Sequence, residues 1–425
     1  MNTNSQDQAA PHAPLARDFF LARQPILNRA QHLVAFELLF RSAASGSTTV
    51  TDDLTATASL IAHASELGLE QVIGDKLGFV NVDAAVLMSD FVQFLPRKKV
   101  VLEILETVKA TPDLLERVNE LIKEGFHFAL DDVIKSNEDV QLFLPLVEVV
   151  KIDIKDMEAG ALAKLARLLA GSKKKLLAEK VETQEEFERC LDLGFDYFQG
   201  YYFAKPVILT GKKIAPSELS ILRLMGQINS DAENNQIESS IKQDASLSIN
   251  LLKLVNTPAA GAKSRIDSIG QALMILGRRQ LQRWLQILLY AKPGKDAHFA
   301  SPLLQMATTR GKLLELMVQK IEPRNRNMAD IAFTVGIMSL MDALFSLPMT
   351  EILTQIAVAE EVEAALLKRQ GFFGDLLKLA EYIEHIEEAA VLLMPTLNKL
   401  QLTAEDLNEM QLVAFDWTNK IAHQN

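Results

Sequence analysis

The feature that most constrains the fold is an alternation in the first half of the chain between short apolar runs, rich in β-branched residues, and longer amphipathic stretches. This alternation predicts strands connected by helices. Strands are predicted at residues 19–27, 33–40, 78–83, 100–105, 126–132, 149–154, 175–181 and 197–203. Eight strands with helical connections indicate an α/β fold that closes into a (β/α)8 barrel.

The connections between the predicted strands give their directions. Helical patterns at 54–67, 113–124, 161–169 and 184–193 are long enough to return the chain between parallel strands. The first two strands are separated only by a few residues around Asn28, Arg29 and Ala30, which fits a hairpin loop. We therefore expect a TIM-like barrel in which one strand runs antiparallel to the rest.

The second half of the chain has a different pattern. Strand signals stop after Pro206, the run TGKKIAP at 210–216 has the composition of a linker, and helical periodicity continues from there to the end. The sequence thus predicts a disordered segment at 1–17, a barrel domain at 18–209, a linker at 210–216 and an all-α domain with a helical extension at 217–425.

Charge and composition exclude several classes of partner. A net charge of −11 disfavours non-specific binding to nucleic acid and to anionic membranes. There is one cysteine, and the first residues lack the basic and apolar regions of a leader peptide, so we expect a cytoplasmic protein. The most apolar segment, 331–347, contains Asp342 and is short for a membrane span, which predicts a buried helix.

Polar residues end seven of the predicted strands, where the active site of such a barrel lies. They are Glu37, Asn81, Glu103, Asp131 with Asp132, Lys151 with Asp153, Glu179 with Glu182, and Gln199. Buried unpaired carboxylates cost on the order of several kcal/mol each, and a hard divalent cation would offset that cost. Oxygen ligands without sulfur suit Mg²⁺ or Mn²⁺, and this many carboxylates can hold two ions, the arrangement used for phosphoryl displacement. In such a reaction Lys151 would balance charge near the phosphate or the attacking water.

Seven motifs in the first half also carry a resemblance to a known family. They are FELLFR at 36–41, FVNVD at 79–83, LEILET at 102–107, FALDDV at 128–133, VVKIDI at 149–154, AEKVET at 178–183 and LGFDYFQGYYFAKPV at 193–207. In this order they resemble the motifs of the EAL domain, the cyclic di-GMP phosphodiesterase family. The resemblance implies hydrolysis of cyclic di-GMP to linear pGpG by two metal ions.

The resemblance also implies a role for individual residues. One metal would be held by Glu37, Asn81, Glu103 and Asp131, with Asp131 bridging to a second metal held by Asp132 and Glu179. Lys151 would position or activate the water, so the implied catalytic residues are Lys151, Glu179 and Glu37. The implied ligand contacts are Gln24, Arg41, Asp153, Glu182, Gln199 and Pro206. Glu106 would brace the loop after the fifth strand.

Two departures from the family pattern leave the activity open. The chain reads DDVIKSNEDV where the family has the glycine-containing DDFGTGYSSL, and Lys180 replaces a glycine in AEKVET. The alternative is therefore an EAL domain with weak or no catalysis that acts as a cyclic di-GMP sensor or a protein scaffold. An unrelated metal-dependent phosphatase on a TIM barrel would fit the chemistry but not the ordered motifs.

The helical half resembles a second family. Residues 217–289, which include QDASLSINLLKLVN and IGQALMILGRRQLQRWL, are similar to the HDOD domain, a relative of HD-type phosphohydrolases that lacks their metal ligands. Ser339 and Leu340 stand where HD enzymes carry consecutive His and Asp. The resemblance implies a regulatory or interaction module for an unknown protein partner, and a second copy of the chain is a candidate partner.

Overall fold

The computed structural model describes residues 19–42, 69–205, 214, 216–256, 266–290, 301–356 and 358–423. Its first half is a closed barrel whose strands follow one another in sequence order. The strands are β1 Phe19–Asn28, β2 Leu33–Ser42, β3 Leu77–Val82, β4 Val100–Ile104, β5 His127–Leu130, β6 Val149–Asp153, β7 Lys175–Glu179 and β8 Tyr197–Gln199. The predicted TIM-like barrel is confirmed.

The strand directions also agree with the sequence. β1 pairs antiparallel with both of its neighbours, β2 and β8, and all other neighbouring strands are parallel. The hairpin between β1 and β2 is closed by the side chain of Asn28, whose Oδ1 accepts from the backbone N–H groups of Ala30 and His32. The single antiparallel strand is therefore β1, because its short loop cannot make a parallel crossover.

Helices cover the outside of the barrel. They are α1 Leu69–Ile73, α2 Ala84–Met88, α3 Pro112–Lys123, α4 Glu138–Phe143, α5 Ala159–Ala170 and α6 Gln184–Asp192, with short 3₁₀ helices at Asp90–Phe94 and Leu144–Leu146. In α3, Thr111 caps the helix and the buried positions Leu114, Val118 and Leu121 recur at helical spacing. The predicted helix at 54–67 lies outside the described residues.

Strand periodicity fixes where the polar residues lie. The interior of the barrel contains a separate apolar cluster made of Ile26, Ala35, Phe79, Val101, Ala129, Val149 and Leu177. Six of these residues are followed, two positions later, by Glu37, Asn81, Glu103, Asp131, Lys151 and Glu179. Because side chains on a strand repeat every two residues, the polar set forms the next layer above the apolar one, at the carboxyl ends of the parallel strands. Ile26 lies on the antiparallel strand, so its counterpart in this layer is Gln24, two residues earlier.

All regular secondary structure described in the second half is helical. Its helices are α7 Pro216–Asn229, α8 Asn234–Lys242, α9 Ala245–Val255, α10 Ile269–Tyr290, α11 Pro302–Ile321, α12 Arg326–Met338, α13 Met341–Phe345, α14 Met349–Leu353, α15 Glu360–Lys368, α16 Gly371–Glu384, α17 Ile386–Leu400 and α18 Ala404–His423. Gly277, at φ 72°, kinks α10. The stretch Arg326–Phe345 is long and apolar enough to cross a membrane, but 67% of its most apolar window is buried within the protein.

The two halves share a hydrophobic core. Phe20, Ala22 and Leu39 of the barrel pack into the helical core, while Leu412 and Phe415 of α18 pack into the core of the barrel. The guanidinium of Arg23 lies 4.3 Å from the centre of the Phe36 ring and 4.0 Å from that of Phe415. This continuous core fixes α18 against β1.

Candidate functional site

The ammonium of Lys151 is the centre of the polar layer in the barrel. Its Nζ lies 2.8 Å from Glu103 Oε1, 2.9 Å from Asp131 Oδ1, 2.9 Å from Glu179 Oε1 and 3.3 Å from Glu37 Oε2. Lys151 and Glu103 are fully buried. Four strands thus bring four carboxylates to one ammonium group, an arrangement with an excess of negative charge when all are ionised.

Amide side chains orient one of these carboxylates. The Nε2 of Gln199 donates to Glu37 Oε2 at 2.5 Å and to Gln24 Oε1 at 2.7 Å, and Nδ2 of Asn81 donates to Glu37 Oε1 at 3.3 Å. Glu37 is therefore held by hydrogen bonds from Asn81 on the neighbouring strand β3 and from Gln199 on β8, which lies on the other side of β1. This layer joins β1, β2, β3 and β8 in a single network.

The carboxylates differ in how readily they ionise. Burial raises the pKa of Glu103 well above its usual range, and the charge of Glu37 raises it further. Burial also raises the pKa of Glu179, although Lys151 opposes that effect. For Glu37, burial is outweighed by Lys151 and by the hydrogen bond from Gln199, which lower its pKa. Burial opposes the charged form of Lys151, but the surrounding carboxylates raise its pKa well above the usual value.

A second group of charges lies beside this layer. The Nζ of Lys180 lies 2.6 Å from Asp153 Oδ2, so the cation pairs with Asp153 next to Asp132. Burial and the charge of Asp131 raise the pKa of Asp132 to about 6. Asp132 and Lys180 both have a positive φ, 47° and 55° respectively. A glycine would take this backbone conformation at Lys180 without strain, which gives a physical reason for the glycine of the family pattern.

The remaining predicted residues have different surroundings. Glu182 pairs with Lys205 at 2.7 Å, at the rim of the site. Glu106 is exposed in the turn after β4 and lies outside the cavity. Arg41 lies on β2, opposite Phe20 of β1, but its side chain and the whole of Pro206 lie outside the described part of the structure.

A cavity of about 360 Å³ opens above the polar layer. Most of the predicted site residues line it: Gln24, Glu37, Asn81, Asp131, Asp132, Glu179, Glu182 and Gln199. Its wall also contains Tyr201, and His385, Glu387 and Glu388 from the helical half. The sequence gives no signal for His385, Glu387 and Glu388 as site residues. Helical periodicity does not show that residues such as Tyr201 and His385, nearly 200 positions apart, meet at one cavity.

The chemistry of this layer fits a hard divalent cation. Asn81 Oδ1, Glu179 Oε2 and Gln199 Oε1 are buried and have no hydrogen-bond donor among the described residues. Amide and carboxylate oxygens are the ligands that Mg²⁺ and Mn²⁺ prefer. In the conformation described, no three His, Cys, Asp or Glu side chains of the described residues are grouped at metal-binding distances, and Lys151 lies between the carboxylates. The donor set is present, while the central position belongs to an ammonium group.

The closed barrel with its acidic centre, followed by a helical half, is typical of one class of two-domain protein. A family model of the EAL domain matches residues 7–206, and a family model of the HDOD domain matches residues 218–351. The chain is 32% identical over 409 residues to the cyclic di-GMP phosphodiesterase CdgJ of Vibrio cholerae, covering 95% of this chain and 93% of that protein. It therefore belongs to the family of proteins that join an EAL domain to an HDOD domain.

The chain is also similar to a second curated protein and to a solved structure. The uncharacterized protein YuxH of Bacillus subtilis is 30% identical over 411 residues, which is 95% of this chain and 98% of that protein. Among solved structures, the cyclic di-GMP complex of the phosphodiesterase PaMucR is 21% identical, covers 48% of this chain and 100% of its own, and has a TM-score of 0.37.

Proposed function

We propose that this protein hydrolyses one phosphodiester bond of cyclic di-GMP to give linear pGpG, with two bound ions of Mg²⁺ or Mn²⁺. The observation that carries the proposal is the layer of four largely buried carboxylates around Lys151, with unpartnered oxygens on residues that line the cavity of an EAL-type barrel. Similarity to CdgJ over nearly the whole chain supports the substrate.

The metal ligands in this proposal are those implied by the sequence motifs. Glu37, Asn81, Glu103 and Asp131 would hold one ion, and Asp131, Asp132 and Glu179 would hold the other. Bound there, the ions would supply Lewis acidity at the phosphate and a lowered pKa for the attacking water. Gln199 and Asn81 serve this arrangement by fixing the orientation of Glu37.

Charge and hydrogen bonding suit Lys151 and Glu179 to different parts. The surrounding carboxylates raise the pKa of Lys151 against the effect of burial and so favour its charged form, whose ammonium would donate hydrogen bonds to water or phosphate oxygen and not remove a proton. The Oε2 atom of Glu179 accepts no hydrogen bond from the described residues. That oxygen is suited to receive the proton of the attacking water. Gln24, Arg41, Asp153, Glu182 and Pro206 remain proposed ligand contacts, and Glu106 a proposed support for the loop.

The decisive experiment compares Asp131→Asn with the wild type. Purified protein is incubated with cyclic di-GMP and Mn²⁺, the nucleotides are separated by chromatography, and Mn²⁺ binding is measured by calorimetry. We expect pGpG from the wild type, and a loss of about 100-fold or more in both turnover and Mn²⁺ affinity in the variant, because a bridging ligand is removed. Asp113→Asn, on the exposed start of α3, is the matched control and keeps full activity. Unchanged turnover in Asp131→Asn refutes the two-metal assignment.

One observation favours a second candidate function. Lys180 places a cation beside Asp132, and Lys151 occupies the centre of the carboxylates. Both would compete with bound metal, so the barrel would then bind cyclic di-GMP as a sensor or scaffold without efficient hydrolysis. Tight nucleotide binding with no pGpG in the same assay distinguishes this function from the enzyme.

The helical half is proposed to regulate the barrel by contact with an unknown protein partner. In support, Ser339, which stands in the place of an HD metal ligand, is buried and accepts a hydrogen bond from Arg310 Nη1 at 2.9 Å. Leu340 next to it is also buried and offers no ligand atom. A homodimer and a cytoplasmic location remain predictions from the sequence.

A further inference from the structure

The helical half supplies one wall of the cavity over the polar layer. His385 lies between α16 and α17, and Glu387 and Glu388 lie in the first turn of α17. All three line the same cavity as Glu37 and Asp131. Residues of the helical half that follow the segment matched by the HDOD model thus line the same cavity as the EAL site, and a ligand in this cavity would lie between the two halves.

Specific contacts hold this wall against the barrel. The ring of His385 stacks on that of Tyr201, with ring centres 3.9 Å apart and an interplanar angle of 27°. The hydroxyl of Tyr201 donates to the carbonyl oxygen of Glu384. Glu388 Oε1 lies 3.3 Å from Lys155 Nζ, a residue of the loop after β6. Tyr201 follows Gln199 by two residues, so the wall is attached beside the amide that orients Glu37.

The wall is also anchored inside the helical half. Glu384 makes a two-pronged ion pair with Arg310, from Nε to Oε1 at 2.7 Å and from Nη2 to Oε2 at 2.6 Å. Arg310 is buried on α11. The position of Glu387 and Glu388 is therefore set by the helical core and not by an independent loop.

The negative charge of this wall affects which ligands can enter the cavity. The barrel side of the cavity already carries Asp131, Asp132, Glu179 and Glu182, while its cations Lys180 and Lys205 are paired with Asp153 and Glu182. Glu387 and Glu388 add two carboxylates from the other half. Charges closer than a Debye length, roughly 10 Å at 0.1 M salt, are only partly screened from one another. An anionic ligand entering the cavity would be repelled by this wall.

We infer that Glu387 and Glu388 lower the affinity of the barrel for its ligand, so that the helical half sets the strength of binding through the charge of this wall. The inference rests on the proposed function, in which the ligand is a cyclic dinucleotide with two phosphodiester charges. Glu388 adds to the effect because it pairs with Lys155, which also lies 3.8 Å from Glu182 Oε1, so that two carboxylates share this cation at the rim. By thermodynamic reciprocity, binding of the nucleotide weakens the contact between the wall and the barrel.

The test is the double variant Glu387→Gln/Glu388→Gln in the full-length chain. Its matched control is Glu360→Gln/Glu361→Gln, which removes the same charge from two consecutive glutamates in the first turn of α15 and leaves the cavity unchanged. The Kd of fluorescently labelled cyclic di-GMP is measured by anisotropy in EDTA, so that the nucleotide is not hydrolysed, at 50 mM and 500 mM NaCl. We expect the test variant to bind about three- to tenfold more tightly at 50 mM, and the difference to shrink at 500 mM as screening increases.

Four results would overturn the inference. Equal affinities in the two double variants show that the wall does not act by charge. A gain in affinity that is the same at both salt concentrations excludes electrostatics, and weaker binding means that the carboxylates contact the ligand favourably. Failure of both the wild type and the test variant to bind the nucleotide refutes the proposed function, and the inference with it, whereas wild-type binding with an unaltered test variant refutes the inference alone.

Discussion

The barrel and the helical half each bury a basic side chain among acids, but the balance of charge differs. In the barrel, Lys151 faces four carboxylates, and several oxygens nearby have no hydrogen-bond donor among the described residues. In the helical half, Arg310 meets Glu384 through two short hydrogen bonds and also donates to Ser339. A second carboxylate, Glu381, lies 3.7 Å from Arg310 and is paired with Arg369, so two arginines meet two glutamates. The first centre has acceptors and negative charge in excess, while the second is matched.

This difference separates a binding site from a structural ion pair. A buried charge that is fully hydrogen-bonded stabilises the fold against loss of either partner, and it leaves nothing for a ligand to satisfy. An excess of buried acid costs stability until a cation arrives, which is the usual condition of a functional site. The same criterion applies to Ser339, whose hydroxyl already accepts a hydrogen bond from Arg310 and is thus satisfied within the protein.

The largest effect is expected from Glu384→Gln in the matched centre. This change leaves the guanidinium of Arg310 buried without its principal partner, so we expect the free energy of unfolding to fall by about 3 kcal/mol or more. Urea denaturation followed by circular dichroism measures it. Glu363→Gln, in the first turn of α15, is the control and should change stability by less than about 0.5 kcal/mol. A loss no greater than that of the control would mean that the pair is not structural.

A gain in the free energy of unfolding, the opposite of the previous effect, is expected for Glu103→Gln in the barrel. Burial raises the pKa of Glu103 in the folded state above its usual 4.5. Above pH 4.5 the folded protein therefore binds more protons than the unfolded chain, and its stability falls as the pH rises. Glutamine mimics the neutral acid. In EDTA at neutral pH, we therefore expect a gain of about 1 kcal/mol in unfolding free energy, together with loss of metal binding.

The pH dependence provides the control for that prediction. The stability of Glu103→Gln and of the wild type should converge near and below pH 4.5, where the carboxyl group is protonated in both states. Glu116→Gln, on the outside of α3, should follow the wild type at every pH. Destabilisation of Glu103→Gln at neutral pH would show that its carboxylate is balanced by Lys151, and that the two centres are alike.

The smallest effect is expected at Lys180. Lys180→Gly and Lys180→Met both remove the cation beside Asp132, so both should bind Mn²⁺ about two- to fivefold more tightly in calorimetric titrations. Only glycine also relieves the left-handed backbone at φ 55°. The glycine variant should therefore be more stable than the methionine variant by about 1 kcal/mol. Equal Mn²⁺ affinities in wild type and both variants would show that Lys180 does not oppose metal binding.

The sequence by itself determined the barrel and the composition of its polar layer. Val101 and Glu103 lie two residues apart on one strand, and Val149 and Lys151 two residues apart on another, so strand geometry places both members of each pair on the same face of the sheet, whatever the rest of the chain does. The short loop after β1 likewise determined the direction of that strand. Such features depend on neighbours in sequence and on strand geometry.

Only the tertiary structure decided how the charges of the site are shared. The sequence predicts that Lys151 lies near the carboxylates, but not that it contacts four of them at once, and it gives Asp153 as a strand-end acid without its partner Lys180. The wall formed by His385, Glu387 and Glu388 could not be predicted from the sequence, because it depends on how α16 and α17 pack against the barrel. Hydrophobic periodicity indicates which face of a helix or strand is buried. The segment that packs against that face depends on the packing of the whole chain.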